Sequence, residues 1–189
     1  MDAQPVAETH PCAPQTDYAV AKHAQTLLGL AAVRRGLPVL VARLFNPVGV
    51  GMPDQLALPS FARQIVRPEA RPILRVGDVS VKRDFLEAAE AARLLLALAE
   101  LPAWPWPLVN LCSGRAYSLG GLLDGLVAAG GANVIVRADP ALIRPGDMPV
   151  LTGSTDRLVS VGLAPRSPDF AALLPRLIAE ARDAVLAQH

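Results

Sequence analysis

The spacing of apolar residues changes period several times along the chain, and each change marks an element. Pro38 to Leu44 (PVLVARL) is a short continuous apolar run rich in Val, the pattern of a strand buried on both faces of a parallel sheet. Leu108 to Cys112 reads the same way and ends at Ser113-Gly114. Before the first run, Thr16 or Asp17 can N-cap a helix reaching about Arg35, with Gly36 as its stop. Ala19, Leu27, Leu28, Leu30, Ala31 and Val33 are expected to supply its buried surface. A second strong helix covers 87–100 (EAAEAARLLLALAE). Further helices are predicted over 57–66, 118–129, 155–161 and 169–187, and strands over 72–76, 81–85 and 133–137. Residues 1–15, 45–54 and 139–149 carry closely spaced Pro and Gly and read as loops, and Leu101 to Pro107 (LPAWPWP) as an extended linker. Strands alternate with helices, so the predicted class is α/β.

Composition narrows the picture. The 189 residues are 52% hydrophobic and 19% charged, which is globular rather than disordered. The net charge is +1 and the arginines are scattered, which argues against a nucleic-acid binder. No apolar run is long enough to span a bilayer, and Met1 to Pro14 lacks a signal peptide's apolar centre. Cys12 and Cys112 have no metal-ligand spacing, and His10, His23 and His189 do not cluster with them, so no metal site is expected. A reduced, cytoplasmic protein is the expectation.

Chemistry enters at Thr16-Asp17-Tyr18-Ala19-Val20-Ala21-Lys22. Eighteen Lys and Arg residues include just two lysines, Lys22 and Lys82, so a cation placed for charge alone would have been arginine. Positions i and i+4 share a helix face, which puts the Lys22 ammonium near the Tyr18 phenol. An ammonium beside a phenol favours the phenolate. That suits a general acid/base handling an alcohol or carbonyl proton. An ordinary Tyr/Lys pair on a solvated face has the same spacing.

Several blocks, taken in order, resemble the second half of an extended short-chain dehydrogenase/reductase, the NAD-dependent epimerase/dehydratase family. They are Pro5-Val6-Ala7-Glu8 with Pro11 and Pro14 before the Tyr/Lys pair, then Ala42-Arg43-Leu44-Phe45-Asn46-Pro47-Val48-Gly49. Val76-Gly77-Asp78, Arg83-Asp84-Phe85 and Val109-Asn110-Leu111-Cys112-Ser113-Gly114 follow. Arg144-Pro145-Gly146-Asp147 and Gly162-Leu163-Ala164-Pro165 close the series, which spans roughly residues 5–170. Within the family the pattern is closest to GDP-4-keto-6-deoxymannose reductases and GDP-mannose 4,6-dehydratases, with Leu163 where their pattern has Trp.

The resemblance implies a partial Rossmann-type parallel sheet over 1–50 and 81–113, and a smaller α/β substrate-binding lobe over 51–80 and 114–189. It implies NAD or NADP as cofactor and a nucleotide sugar as substrate, with reduction of a 4-keto sugar as the activity and 4,6-dehydratase or 4-epimerase chemistry as alternatives. Tyr18 and Lys22 would be catalytic and, with Pro47, would face the nicotinamide end of the cofactor. Asn46, Arg83 and Arg144 would bind the nucleotide-sugar diphosphate, for which an arginine fork is well shaped. Each residue has a plainer reading. Arg83-Asp84 could be a local ion pair, Arg144 a solvated side chain, Asn46-Pro47 a turn, Trp104 and Trp106 packing residues and His23 a surface residue.

The resemblance also breaks. No G-x-G-x-x-G turn or P-loop follows a strand here, and just seventeen residues precede Tyr18. Glu90 stands where the family pattern has Asp. Read as a complete chain, the sequence lacks the phosphate-cradling half of the cofactor domain, and an apolar sheet edge would be left to pair with another chain or another copy. Two classes stay open: an enzyme half that works with a chain supplying the rest, or a non-enzymatic remnant that binds nucleotide sugars.

Overall fold

Thr16 opens the first helix, because its hydroxyl accepts a hydrogen bond from the Ala19 amide at 3.2 Å and satisfies one of the free N–H groups of the first turn. The computed structural model describes residues 4–67, 72–143 and 146–187. Helix α1 (Asp17–Arg34) leads through Gly36, at φ +82°, into strand β1 (Val41–Leu44). There follow β2 (Asn46–Val48), α2 (Ala57–Ile65), β3 (Ile73–Val76), β4 (Lys82–Glu87), α3 (Ala88–Ala99) and β5 (Leu108–Leu111). The chain continues through β6 (Ala116–Ser118), α4 (Leu119–Gly130), β7 (Ile135–Ala138), a 3-10 turn at Pro140–Leu142, β8 (Val150–Leu151), α5 (Asp156–Ser160) and α6 (Phe170–Leu186). The class is α/β.

Three small sheets carry the strands. β1 pairs with β5 in parallel, Val41 opposite Leu108 and Leu44 opposite Leu111. β3 pairs with β7 in parallel, Ile73 opposite Ile135. β4 lies at the centre of the third sheet, parallel to β2 and β8 and antiparallel to β6. The segments read as loops at 45–54 and 139–149 therefore lead into or contain short strands. β2 and β8 are too short for apolar period to register, and each is held as a strand by pairing with β4.

Two apolar clusters share β4 as a wall. Successive residues of a strand face opposite sides, so Phe85 joins a cluster with Leu58, Phe61, Leu74, Leu126 and Leu177. Leu86 faces the other way, joining Leu94, Leu98, Val109, Leu111 and Leu158. β5 is buried along its whole length, as its apolar run predicts.

The first helix corrects the expectation. Of α1, Thr26 alone is buried, and Leu27 and Leu28, expected inside, are 50% and 70% exposed. Apolar residues lie around the whole helix, and β1 is the described strand against which it packs. A β-carbon on Gly29 would lie 2.6 Å from a Val41 methyl, so Gly29 is where helix and strand meet. β1 is itself half-buried, not enclosed on both faces, because among the described residues its one neighbour is β5.

Residues 1–15, a loop by their sequence, have irregular backbone over the described part but are firmly held. Val6 donates its amide to the Thr152 carbonyl and accepts from the Ser154 amide. The buried Glu8 carboxylate accepts the Asn110 amide at 2.8 Å and lies 3.5 Å from the Arg157 guanidinium. This charged clamp covers the edge of β5 that β1 does not use.

Asp84 is not the ion-pair partner of Arg83. It is 0% exposed and points inward, where one carboxylate oxygen accepts from the Ser113 amide and hydroxyl, both at 2.8 Å. The other accepts the Gly114 and Gly153 amides at 2.9 and 3.2 Å. Gly114 sits at φ +74°, and a β-carbon on Gly153 would be 2.6 Å from the Cys112 sulfur, so backbone closes round the carboxylate where side chains would not fit. Burial, and then the charge of Asp84, push the neighbouring Cys112 thiol up to about 12, which keeps it protonated and inert.

Glu90, the departure from the family's Asp, also has a structural task. The Arg93 guanidinium donates to both of its oxygens, and the Arg166 amide donates at 2.9 Å, tying the segment after α5 to α3. The bond from Arg93, aided by Arg166, holds the Glu90 carboxyl below its ordinary value against the opposing effect of burial. A depressed folded pKa stabilises the protein above the unfolded value, about 4.3 for Glu, and that stability is lost as pH falls through the folded value. Glu90→Gln is expected to be less stable than the parent near neutrality, with the gap closing on acidification. Denaturant melts over a pH series check this, and a gap unchanged down the acid limb would contradict it.

Candidate functional site

Tyr18 and Lys22 lie one turn apart on the same exposed side of α1, with Tyr18 73% exposed. The Lys22 ammonium sits 5.8 Å from the centre of the Tyr18 ring and donates to the Gln25 side chain at 3.2 Å. The cation thus lies over the aromatic face and is tethered from the next turn of the helix. Neither residue is buried in the core.

Asn46, Pro47 and Arg83 line one cleft of about 330 Å³. Its floor and one wall come from α2 and the turn before it, through Met52, Leu56, Leu58 and Phe61. The lining also carries charge: Arg75, Asp78, Arg83 and Asp147. Pairing of β2 with β4 places Asn46 opposite Phe85 and Pro47 opposite Leu86, so the residues after β1 and those around Arg83 share one rim. Asn46 donates its amide to the Asp84 carbonyl at 2.7 Å, which fixes the side chain and leaves its oxygen free to accept.

Arg83 is the most constrained of these groups. Its Nη1 donates to the Lys82 and Met148 carbonyls at 2.8 and 2.7 Å, and its Nη2 lies 2.6 Å from a carboxylate oxygen of Asp147. Asp78 is locked in its own turn: one oxygen accepts the Ser80 hydroxyl and amide at 2.6 and 2.8 Å. Those bonds, with a smaller contribution from the Arg83 charge, hold the Asp78 carboxyl below its usual value, so it is ionised at neutral pH. Arg75 has its backbone pinned by Gln64, which accepts from its amide and donates to its carbonyl, and its guanidinium is 3.6 Å from Asp139.

The sequence assigns Tyr18, Lys22, Asn46, Pro47, Arg83 and Arg144 to one site. The structure gathers Asn46, Pro47 and Arg83 in the cleft and leaves Tyr18 and Lys22 outside its lining, at the start of the adjoining helix. A β-carbon on Gly146 would be 3.8 Å from the Gln15 side-chain oxygen, so the loop carrying Asp147 reaches the residues that open α1. Arg144 lies outside the described residues. Asp147 and Asp78 were missed as functional residues although both stand in the quoted motifs, because nothing in a linear motif says which acid meets which arginine. The Met52 to Phe61 wall is, in sequence, the end of a loop and the start of the helix predicted over 57–66, and acquires meaning once folded. Among the described residues no cluster of three metal-ligating side chains occurs, and no helix is long and apolar enough to cross a membrane.

The sequence pattern of the NAD dependent epimerase/dehydratase family matches residues 1–111, more than half of the chain. GDP-6-deoxy-D-mannose reductase of Pseudomonas aeruginosa is 35% identical over 152 residues, covering 77% of this chain and 49% of the relative. The chain thus spans about half the length of the curated relative it matches. A solved structure of RMD from Pseudomonas aeruginosa, complexed with NADPH, superposes with a TM-score of 0.82 over 96% of this chain and 61% of that one, at 28% identity. UDP-glucose 4-epimerase from Thermotoga maritima, at 20% identity, shares the fold with a TM-score of 0.78 over 98% of this chain and 59% of that one. With its Rossmann-like α/β fold and the matched segment running through the Tyr18 helix, β1 and β5, this chain belongs to the NAD-dependent epimerase/dehydratase family of extended short-chain dehydrogenase/reductases.

Proposed function

We propose that this chain is the substrate-binding and proton-transferring part of a nucleotide-sugar oxidoreductase, and that its reaction is reduction of a 4-keto nucleotide sugar. The observation that carries the reading is one cleft lined by Asn46, Pro47 and Arg83 beside a helix that exposes Tyr18 and Lys22 on a single face. The similarity to a GDP-6-deoxy-D-mannose reductase favours a GDP-sugar and favours reduction over dehydration or epimerisation.

In this reading Arg83, with Arg144, binds the diphosphate, the Asn46 oxygen accepts a hydroxyl, and the apolar wall around Leu56 and Phe61 packs against the nucleoside. Tyr18 delivers a proton to the sugar C4 oxygen, and Lys22 supports the charge that develops on the phenol oxygen. NAD or NADP supplies the hydride when bound. The exposed Tyr18, Lys22 and Pro47 fit the nicotinamide end of such a cofactor. Among the described residues, no glycine-rich strand-turn-helix offers amide donors to its pyrophosphate. The chain by itself is therefore expected to bind NADPH more weakly than micromolar, which calorimetry checks, and micromolar or tighter binding would contradict it.

We assign 1–50 and 81–113 to the tail of the Rossmann-type, cofactor-side domain and 51–80 and 114–189 to the substrate lobe. The open edge of β1 and the exposed apolar side of α1 suit a further parallel strand and helix carrying the missing phosphate loop, from the same polypeptide or another. A second copy of the chain is the alternative occupant. A binding protein without catalysis is the competing function, favoured by the same lack of a glycine-rich turn.

Calorimetric titration with GDP tests the substrate side. Charge-assisted bonds from an arginine to phosphate are strong and sensitive to salt. Arg83→Leu is expected to weaken GDP binding by roughly ten-fold to a hundred-fold, the loss of one such contact. Equal affinity in the variant would remove Arg83, and with it this placement of the diphosphate.

A further inference from the structure

Part of the apolar wall assigned to the nucleoside is carried by the loop between β2 and α2. Met52, Gln55 and Leu56 line the cleft from this loop, although Gly51 and the residues from Pro53 to Leu56 are exposed. Among the described residues, no backbone hydrogen bond joins 50–55 to another element. Packing behind the loop is also interrupted: a recess of about 90 Å³ lies between it, α2 and α6, bordered by Met52, Leu177, Glu180 and Ala181. A wall with neither a strand ladder nor a close-packed backing needs other ties to keep one position.

Two such ties are present. Arg63 of α2 lies 2.7 Å from the Asp54 carboxylate, but Asp54 is 57% exposed, and an exposed pair of this kind contributes little. The other comes from the last helix. The Glu180 carboxylate of α6 accepts the Gly51 amide at 2.7 Å, across 129 positions of sequence. Glu180 is half-buried and, among the described residues, has no ion-pair partner, so the Gly51 amide is what its charge meets. A bond from a backbone N–H to a carboxylate is stronger than one between neutral groups. Its carrier is rigid, because Leu173, Leu177 and Ile178 of α6 are buried in the same cluster as Leu58 and Phe61. Gly51 is the residue before Met52, so holding its amide sets where the chain enters the wall.

We propose that Glu180 is a positioning residue for substrate: from α6 it fixes the turn at Gly51 and so holds Met52 and Leu56 against the nucleoside of the bound nucleotide sugar. This rests on the reading of the cleft as a nucleoside-diphosphate site. Glu180 is outside the cleft lining and touches no substrate atom, so it acts through the loop. Its influence is confined to the nucleoside. The diphosphate is assigned to Arg83, which has its own ties to the Lys82 and Met148 carbonyls and does not depend on the loop.

The test is calorimetric titration of the full chain with GDP and with inorganic pyrophosphate, for the parent, Glu180→Ala, Glu180→Gln, Leu56→Ala and the Glu180→Ala/Leu56→Ala double variant. Glu180→Ala is expected to weaken GDP binding by roughly three-fold to ten-fold, the effect of one lost hydrogen bond, and to leave pyrophosphate binding unchanged. Glu180→Gln keeps an oxygen that accepts from the Gly51 amide, so it is expected to restore most of the GDP affinity. With Leu56 already cut back to Ala, removing Glu180 is expected to cost less than in the parent, because the two act on one contact. GDP affinity unchanged in Glu180→Ala would overturn the proposal. So would an equal loss for both probes, which a change of charge or of folding explains, or a Gln variant as weak as the Ala variant, which would make charge and not the bond the cause. Melting temperatures are taken alongside, and Glu180→Ser, too short to reach the amide, serves if the alanine variant does not fold. If the folded parent binds neither probe, it is the diphosphate reading of the cleft that fails; if the parent binds both and Glu180→Ala binds GDP as well as the parent does, the positioning role alone fails.

Discussion

Tyr18→Phe, in a chain completed with a glycine-rich cofactor half, is expected to lose turnover by roughly a hundred-fold to ten-thousand-fold, the range for removing a positioned general acid. The substitution deletes one oxygen and keeps the ring that the Lys22 ammonium covers. Tyr18 is 73% exposed, so its hydroxyl contributes nothing to the core, and the variant is expected to melt with the parent. Substrate binding should also persist, because Arg83 and Asn46 lie in a cleft whose lining does not include Tyr18. Steady-state turnover and GDP affinity, measured on the same preparation, separate these effects. A variant that turns over as fast as the parent would end the catalytic assignment and put the binding-protein reading ahead.

The second large effect concerns folding. Asp84→Ala is expected to cost about 3–5 kcal/mol, the range for stranding buried partners of a hydrogen-bonded charge. Four donors converge on this carboxylate: the amides of Ser113, Gly114 and Gly153 and the Ser113 hydroxyl. They come from the turn after β5 and the segment after β8, so Asp84 ties β4 to the end of the β1–β5 sheet and to the chain leaving β8. Domain stabilities of about 5–15 kcal/mol leave little after such a loss. Asp84→Asn keeps the volume but presents an NH2 to groups that are themselves donors, and is expected to recover little of the stability. Urea unfolding measures both, and a loss below about 1 kcal/mol in Asp84→Ala would show that the amides find other partners.

Much of this was legible in the sequence, for physical reasons that can be named. α1 registers through its length and its Thr16 cap, α3 through its apolar period and β5 through its continuous apolar run. The Tyr18/Lys22 pair was legible because helical geometry fixes i and i+4 on one face whatever surrounds the helix. The burial of Leu27 and Leu28 was misread, since apolar residues declare a preference for cover and not whether cover is present. β2, β6 and β8 were invisible because strands of two or three residues exist through pairing with β4, a long-range fact. The role of Asp84 was hidden by adjacency. Arg83 and Asp84 are neighbours in sequence, yet on a strand neighbours face opposite sides, so one turns to the cleft and Asp147 while the other enters the core. Asp147 was on the page within Arg144-Pro145-Gly146-Asp147, but its partner lies sixty-odd residues earlier and only the fold introduces them.

The central claim is that this chain supplies substrate binding and proton transfer to a reductase whose cofactor phosphates are held elsewhere. The most direct measurement joins it to the amino-terminal, NADPH-binding half of the Pseudomonas aeruginosa relative and follows NADPH oxidation with a GDP-linked 4-keto-6-deoxy sugar. The account predicts NADPH-dependent reduction of the C4 carbonyl by the joined protein and none by this chain alone. A joined protein that folds and binds both NADPH and GDP, yet forms no reduced sugar, would contradict it.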